Sequence, residues 1–247
     1  MHPTLHDTAY GVTAAGIADQ MSFLTRWLPP APARVLDAGC GRGDLALALD
    51  EAGYTVTAVD NDAEAVTAAR ARGVDAIRGD FAGYDGDPFD AVVFSLSLHH
   101  MSRLPKVVHR ARALLKQGGL LLVDEFAWER ADGATASWFH DMEAVLDSAF
   151  TPAPPERRPL AEDPYTHWIK RHRPLHPGEA MIDAIGAAFK VRKATRGPYL
   201  HRYLADRISD DDAGARVFTM LRRIERQRIL GGGLAAVGLR VVAQATH

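Results

Sequence analysis

The sequence lacks most of the features that would assign it to a specialised class of protein. It has one cysteine, Cys40, in 247 residues, so no internal disulfide can form, and we expect a reducing, cytoplasmic location. No apolar run approaches the roughly 18 residues that a membrane-spanning helix needs. The first residues show neither a basic start nor an apolar stretch, so we expect no secretory leader.

An excess of charge of one sign is also missing. The chain carries 29 Lys and Arg against 31 Asp and Glu, which gives a formal net charge of -2. A strongly basic balance would favour nucleic acid or an anionic membrane as a partner, and we therefore expect neither. With 47% hydrophobic and 24% charged residues, the composition is that of a globular protein.

What the sequence does contain is a regular alternation of strand and helix patterns. Short runs rich in apolar or β-branched residues are separated by segments with helix caps and glycine stops. These predicted strands are 34–39, 55–60, 74–80, 89–98 and 120–126. Strands spaced by helices join through right-handed crossovers, which predicts an α/β fold with a mainly parallel sheet and helices on both faces.

The flanking segments are less regular. The spacing predicts a helix over 11–28, ended by Pro29 and Pro30. After the fifth strand we predict a helix ending at Phe150, with Trp138, Met142, Val145, Leu146 and Ala149 on one side. A proline-rich stretch, a helix over 179–189, two extended pieces broken at Gly197, a helix over 211–230 and a strand over 239–245 follow. We expect a single domain over 1–247, made of an N-terminal helical segment (1–30), a binding core (31–126), a helical lid insertion (127–188) and closing strands with a helix (189–247).

A glycine turn after the first predicted strand is the clearest functional signal. In "VLDAGCGRG", Asp37 is followed by Gly39, Gly41 and Gly43. Such glycines let the backbone approach a ligand closely. The spacing is G-x-G-x-G rather than the G-x-G-x-x-G of dinucleotide sites, and Asp44 replaces the expected glycine. An acidic helix start suits a pyrophosphate poorly, whereas a ligand with an amine and a sulfonium suits Asp37 and Asp44. The alternative is a turn that serves only tight packing.

Two further carboxylates end predicted strands. Asp60 follows the second strand and can accept both hydroxyls of a ribose, although it could instead cap the next helix. Asp80 and Phe81 follow the third strand and suit an adenine, with the carboxylate facing the amine and the ring covering a face. The alternative is a turn aspartate beside a core phenylalanine.

These segments together resemble the class I S-adenosylmethionine (SAM)-dependent methyltransferases of the small-molecule type. The resemblance rests on "VLDAGCGRG", "VTAVDND", "RGDF", "FDAVVFSLSLHH" and "LLKQGGLLLVDEF", and it covers roughly residues 30–126. It implies a Rossmann-like, doubly wound, seven-stranded sheet with the last strand antiparallel, and SAM as cofactor at the carboxyl ends of the strands. Carried over by position, the cofactor-binding residues are Asp37, Ala38, Gly39, Cys40, Gly41, Gly43, Asp60, Asn61, Asp80, Phe81 and Ser95.

Candidate catalytic groups follow the fourth and fifth strands. A proton-bearing acceptor benefits from a general base, and His99 and His100 directly follow the fourth strand. We prefer His100, as the one further out of the sheet, although either ring could instead pack under the next segment. Glu125 is expected to face the same rim, or to pair with a lid arginine. His140 in the lid helix could reach the pocket from above.

Other side chains of the lid allow two interpretations. Trp138, Phe139, Tyr165, Trp168 and Tyr199 either line a pocket for a planar acceptor or form the core of the lid. His167, His172 and His176 have ligand-like spacing, but Pro174 and Pro177 interrupt a regular helix. We therefore expect no metal site.

The expected activity is methyl transfer from SAM to an oxygen or nitrogen nucleophile of a small-molecule acceptor. No N-P-P-Y-like signature of amine methylation follows the fourth strand. The alternatives are a SAM-binding protein that does not methylate, a non-catalytic partner subunit and, disfavoured by the glycine spacing, a nicotinamide-dependent oxidoreductase. A homodimer remains open.

Overall fold

A computed structural model describes residues 11–150 and 162–246, so most of the proline-rich stretch discussed above lies outside the described residues. The helices are Val12–Leu24 (α1), Asp44–Glu51 (α2), Ala63–Ala71 (α3), Leu104–Ala113 (α4), Gly133–Phe150 (α5), Pro164–His172 (α6), Gly178–Ala188 (α7), Leu200–Tyr203 (α8) and Asp212–Leu230 (α9). The strands are Arg34–Ala38 (β1), Thr55–Asp60 (β2), Ala76–Arg78 (β3), Phe89–Ser95 (β4), Leu115–Phe126 (β5), Lys190–Gly197 (β6) and Gly238–Gln244 (β7).

Within the described residues, the strands form one seven-stranded sheet in the order β3-β2-β1-β4-β5-β7-β6. β1 pairs in parallel with β2 and β4, and β4 pairs in parallel with β5. β7 runs antiparallel between β5 and β6. The predicted Rossmann-like sheet with an antiparallel last strand is therefore confirmed. The first four strands end at one edge, which is where open parallel sheets bind ligands.

Local chemistry accounts for the turns that lead from strands to helices. Asp62 begins α3 because its carboxylate accepts the backbone N–H groups of Glu64 (2.8 Å) and Ala65 (3.2 Å). Gly43 precedes α2 with a φ of +81°, a left-handed conformation that favours glycine. Both turns return the chain from the carboxyl edge of the sheet to its opposite edge.

Three apolar clusters divide the interior. One lies between the sheet and the α4–α7 pair, where Met181 and Ile185 of α7 pack with strand residues. The second lies between the opposite face of the sheet and the first three helices, around Leu24 and Leu49. The third joins the helices that follow β5, around Phe139 and the fully buried Trp168. The helix α7 thus packs with the sheet, whereas α5 and α6 pack with α8 and α9.

Four predictions about the flanking elements need correction. The helix α1 ends at Leu24, before the two prolines, because the chain turns over residues 25–27. Val145 is 56% exposed and Ala149 is also exposed, so the buried face of α5 carries Phe139 and Leu146 instead. The second extended piece after Gly197 is the short helix α8. β5 begins earlier than predicted, at Leu115. In the described part of the chain, no helix is long and apolar enough to cross a membrane.

Candidate functional site

A cavity of about 530 Å³ opens at the carboxyl ends of the first four strands. Each segment that follows one of these strands contributes to its wall. The lining residues are Gly39, Gly41, Val59, Asp60, Asn61, Gly79, Asp80, Phe81, Leu96, Ser97, His100, Met101 and Ser102. Seven sequence-predicted site residues are therefore brought together: Gly39, Gly41, Asp60, Asn61, Asp80, Phe81 and His100.

The glycine turn forms the floor of this cavity. Gly39 has a φ of +76°, and a Cβ at this position would lie 2.4 Å from the Cβ of Ser97. Gly41 has a φ of +54°, and a Cβ there would meet open space. Gly39 therefore lets β1 approach the loop after β4, whereas Gly41 leaves room beside the backbone. Gly43 contacts Ala69 rather than the cavity.

Asp60 links the end of β2 to the glycine turn. Its Oδ2 accepts the N–H of Gly41 at 2.8 Å, and its Oδ1 accepts the N–H of Asp62 at 2.9 Å. The alternative that Asp60 caps α3 is wrong, because Asp62 makes those capping hydrogen bonds. The Asp60 carboxylate lines the cavity in a position where it can accept hydroxyl donors.

At the other end of the cavity, Asp80 and Phe81 show features both of an adenine site and of a turn aspartate beside a core phenylalanine. Asp80 accepts the N–H of Ala82 at 3.0 Å and pairs with Arg103 at 2.7 Å. Phe81 is buried and packs edge-on against Phe94 at 5.1 Å between ring centroids. Both nevertheless line the cavity, so one carboxylate and one ring are available to a planar, amine-bearing group.

Two buried polar atoms near the turn have no hydrogen-bond partner among the described residues. They are Oδ2 of Asp37, a residue only 2% exposed, and Oγ of Ser95. Burial, and secondarily the nearby charge of Asp60, raises the pKa of Asp37 to about 7. An unpartnered buried carboxylate is costly unless a donor reaches it. The pair therefore fits a ligand that brings an ammonium, such as the amino-acid end of SAM.

Ala38 and Cys40, like Asp37 and Ser95, are predicted cofactor residues that do not line the cavity. Ala38 is fully buried, and its carbonyl accepts the hydroxyl of Ser97 at 2.6 Å. The backbone N–H of Cys40 donates to Val59 at 3.3 Å. Burial, with Asp37 and Asp60 nearby, raises the pKa of the Cys40 thiol to about 12, so it stays protonated. Neither side chain lines the cavity.

Leu96 connects this cavity to a second one. It has a φ of +59°, a strained conformation for leucine that is concentrated at functional sites. It lines both the first cavity and a neighbouring cavity of about 310 Å³ between α1 and the segment around α8. Asp44 lines the second cavity, but its carboxylate is already paired with Arg72 at 2.5 Å. The expectation that Asp44 serves the cofactor therefore lacks support from its contacts.

The two adjacent histidines occupy different environments. His99 is buried, and its Nδ1 lies 2.5 Å from Oε2 of Glu125. His100 is exposed and lines the cavity, with its ring 4.1 Å from that of His99. Burial, followed by the neighbouring His99, lowers the pKa of His100 below its usual value. His100 is therefore neutral near pH 7 and can accept a proton.

Glu125 lies inside the protein rather than at the rim, contrary to expectation. It is fully buried, and its Oε1 accepts the N–H groups of Ser97 (2.8 Å) and Leu98 (2.5 Å). The loop after β4 covers this carboxylate, because the backbone of Ser97 and Leu98 and the ring of His99 all contact it. Its contacts make Glu125 a support for the loop that carries His100.

His140 belongs to an ionic network of the lid. Its Nδ1 lies 2.9 Å from Glu143, which also pairs with Arg207 at 2.6 Å. Although burial opposes it, hydrogen bonding from His140 and the charges of Arg207 and Arg171 lower the pKa of Glu143 to about 2. His140 does not line either of the two cavities described above.

Most of the five aromatic residues considered for a pocket lining pack into the third apolar cluster instead. Phe126 stacks on Tyr199 at 4.6 Å, and Phe139 packs edge-on against Trp168 at 5.2 Å. Trp138 belongs to the same cluster, whereas Tyr165 is exposed. Packing accounts for four of the five aromatic residues.

Two of the three spaced histidines, His172 and His176, contact backbone carbonyls. Nδ1 of His172 lies 2.8 Å from the carbonyl of Trp168, and Nε2 of His176 lies 2.9 Å from that of Met101. Within residues 11–150 and 162–246, no cluster of His, Cys, Asp and Glu could hold a metal ion.

Sequence reasoning missed several residues of the two cavities. Met101 and Ser102 directly follow the two histidines, and their position after β4 was the only available signal. Arg202 lines the second cavity, and nothing in its local sequence distinguishes it from the other basic residues of the C-terminal part.

Comparison with known sequences identifies a family and several relatives of this chain. The methyltransferase domain family matches residues 14–176, more than half of the chain. An ubiquinone biosynthesis O-methyltransferase from Xylella fastidiosa (strain 9a5c) is 34% identical over 113 residues, which cover 42% of this chain and 46% of that protein. A trans-aconitate 2-methyltransferase from Mycolicibacterium gilvum is 40% identical over 90 residues, 35% of either chain. The chain thus spans less than half the length of these two curated relatives.

Solved structures share the fold at low sequence identity. Phosphoethanolamine N-methyltransferase 2 from Haemonchus contortus, in complex with SAM, has a TM-score of 0.61 and 17% identity over 93% of this chain and 53% of that chain. A SAM-dependent methyltransferase from Mesorhizobium loti has a TM-score of 0.58 and 17% identity over 93% of this chain and 99% of that chain. The [4+2]-cyclase SpnF has a TM-score of 0.56 and 20% identity over 94% and 82% of the two chains. At these identities the likeness concerns the fold.

Proposed function

The chain belongs to the class I SAM-dependent methyltransferase family, and we propose that it transfers the methyl group of SAM to an oxygen or nitrogen atom of a small molecule. The observation that carries the proposal is the 530 Å³ cavity, in which Gly41, Asp60 and Asp80 meet at the glycine turn that follows Asp37, a residue with one buried oxygen, Oδ2, that has no partner among the described residues. We further propose a cytoplasmic location, because the single Cys40 suits a reducing compartment.

The residues present fit the parts of SAM in order along the cavity. Asp60 would accept the ribose hydroxyls, and Asp80 with Phe81 would hold the adenine. Asp37 and Ser95 would face the amino-acid end, where both have buried oxygen atoms without a partner among the described residues. When bound, SAM supplies a methyl group on a positively charged sulfur that is already a good leaving group.

The chain then has two tasks, which are to position the acceptor and to remove its proton. Correct orientation of two reactants can supply roughly 7–11 kcal/mol of the barrier. A general base adds about 10²–10⁴-fold when the nucleophile carries a proton. His100 is the histidine that lines the cavity, and its lowered pKa keeps it in the accepting form. We therefore assign the base to His100, and the support of its loop to His99 and Glu125.

A small acceptor agrees with the charge and size of the site. The formal net charge of -2 offers no general attraction for nucleic acid. The first cavity, about 530 Å³ and lined by His100, lies within the ordinary size range of small-molecule pockets. The names of the relatives include O-methyltransferases, which supports an oxygen acceptor without identifying it. The likeness to a cyclase concerns the fold and leaves a non-methylating SAM protein as the alternative.

Calorimetry with S-adenosylhomocysteine and NAD tests the cofactor. We expect binding of S-adenosylhomocysteine, and a roughly 100-fold loss in Asp60→Ala, because two charge-assisted hydrogen bonds disappear. Asp62→Ala is the matched control, since it removes the cap of α3 two residues away and should retain affinity. Tighter binding of NAD than of S-adenosylhomocysteine would refute the proposal.

Transfer from labelled SAM to a panel of phenols, carboxylic acids and amines tests the reaction. With an acceptor that is found active, His100→Gln should lower kcat by about 10²-fold or more and leave the affinity for S-adenosylhomocysteine unchanged. Tight SAM binding with no transfer across the panel would favour the non-methylating alternative.

A further inference from the structure

Arg202 of α8 has one side of its guanidinium satisfied and the other side without a partner. Its side chain is 5% exposed, and Nη1 donates to Oδ2 of Asp124 at 2.9 Å. Nη2 is buried and has no hydrogen-bond partner among the described residues. Leaving a charged donor buried and unpaired is costly, so the arrangement indicates a missing acceptor.

The position of Arg202 relates it to the two unpartnered atoms near the glycine turn, Oδ2 of Asp37 and Oγ of Ser95. Asp124 lies opposite Ser95 in the β4–β5 register, and Asp37 lies opposite Val93, two residues before Ser95. Side chains at paired positions, and at positions two apart, point to the same face of a sheet. Asp37, Ser95 and the Arg202–Asp124 pair therefore lie on one face, across three neighbouring strands.

The backbone positions of Asp37 and Asp124 are about 12 Å apart, because two strand spacings of about 9–10 Å combine with an offset of two residues, about 7 Å, along the strands. The side chains of Asp37 and Arg202 extend from this frame. An amino acid held between them by two hydrogen bonds of about 2.9 Å would span about 8–9 Å. The second cavity, lined by Arg202 and Gln20, meets the cofactor cavity at Leu96, so this part of the protein adjoins the site.

We propose that Arg202 binds the α-carboxylate of the cofactor's amino-acid end, opposite Asp37, which binds the ammonium. The inference rests on the proposed function, because it presumes SAM in the first cavity. A zwitterion satisfies an unpartnered carboxylate oxygen and an unpartnered guanidinium N–H at the same time, whereas an acceptor carboxylate would satisfy only the second.

This contact also joins the cofactor to the C-terminal helices. The helix α8 is held by Glu225 of α9, which accepts the N–H groups of Tyr199 (2.7 Å) and Leu200 (2.8 Å) and contacts Nδ1 of His201 at 2.7 Å. Arg202 follows directly. A cofactor held by Arg202 would therefore be linked through α8 to α9, which already lie against the sheet through the Arg202–Asp124 pair.

The test uses three ligands that differ in their amino-acid end. SAM carries both charged groups, decarboxylated SAM carries only the amine, and 5′-methylthioadenosine carries neither. We expect Arg202→Gln to weaken the binding of SAM by about 10- to 100-fold, the contribution of one charge-assisted hydrogen bond. The other two ligands should bind the variant as they bind the wild type. Asp37→Asn should weaken both amine-bearing ligands.

Arg240→Gln is the matched control. Arg240 also pairs with Asp124, through Nε at 3.0 Å, but it lines neither of the two cavities at the site. The control should leave all three affinities unchanged, which separates disturbance of Asp124 from loss of the carboxylate contact. Unchanged SAM binding in Arg202→Gln, or an equal loss for all three ligands, would overturn the inference. A wild type that binds none of them would overturn both the inference and the proposed function.

Discussion

Replacing Asp37 by Asn tests whether its buried carboxylate destabilises the free protein and binds a cationic group of the ligand. In the free protein, burial and then Asp60 raise the pKa of Asp37 from 3.8 to about 7. The unfolded chain would ionise near the ordinary value, so the native state binds more protons between these two pH values. Stability should therefore fall as the pH rises from about 4 to 7.

The size of the effect follows from the shift. About three pKa units at 1.36 kcal/mol per unit correspond to roughly 4 kcal/mol of lost stability above pH 7. Asp37→Asn carries no ionisable group and should lose this dependence, so above pH 7 it should be more stable than the free wild type. Urea unfolding at a series of pH values measures the difference.

Ligand affinity should change in the opposite direction. An ammonium binds the ionised form of Asp37, so the affinity for S-adenosylhomocysteine should rise about tenfold per pH unit up to about pH 7 and then level off. Asp37→Asn should bind weakly, and its affinity should not depend on pH in that range. His100→Gln removes a titratable group that lines the cavity, and as a control it should keep the wild-type slope. A pH-independent wild type, or an unaltered slope in Asp37→Asn, would refute the reasoning.

Two pairs of substitutions, each with its own control, test how the cavity is built. Gly39→Ala should destabilise the protein by about 2–4 kcal/mol in urea unfolding, because its Cβ would lie 2.4 Å from the Cβ of Ser97. Gly41→Ala meets open space at a similar φ and should cost only the left-handed strain of about 1–2 kcal/mol; equal losses would contradict this account. Glu125→Gln should cost about 2–4 kcal/mol and weaken S-adenosylhomocysteine binding, since the loop of His100 loses its charged acceptor. Glu179→Gln is the control, because it loses only an exposed pair with Arg196 and should change stability by less than about 1 kcal/mol. Equal losses of stability in the two variants would contradict the assignment of Glu125 as the support of this loop.

The central sheet was predictable because its signals are local. Strands such as 55–60 are recognisable from their β-branched residues. Helices such as α3 are recognisable from a capping residue at the start and a terminating residue at the end. Parallel strands that end at one edge then bring Gly41, Asp60 and Asp80 together without further information. The first cavity therefore follows from patterns that each occupy fewer than about ten residues.

The errors concern properties that depend on distant parts of the chain. Alternation along β5 could not show that the loop after β4 covers the end of this strand, and so Glu125 was expected at the rim. The basic residues of the C-terminal segment suggested a solvent-exposed face. The sequence could not show that Arg202 pairs with Asp124, which lies 78 residues earlier in the chain. The aromatic residues of the lid were equally compatible with a pocket and a core, because both environments select large apolar rings.

The antiparallel pairing between β5 and β7 limits which segments of this protein can be exchanged in a chimera. Every residue from Leu120 to Phe126 is paired with β7, and Asp124 has its guanidinium partners on β7 and α8. A fragment ending at Phe126 would keep the recognisable half of the sequence but expose a strand edge and an uncompensated buried charge. The segment that ends at Phe126 therefore cannot be transferred to another protein by itself. A chimera designed to accept a new substrate should exchange α5 and α6 and keep β7 and Arg202 in place.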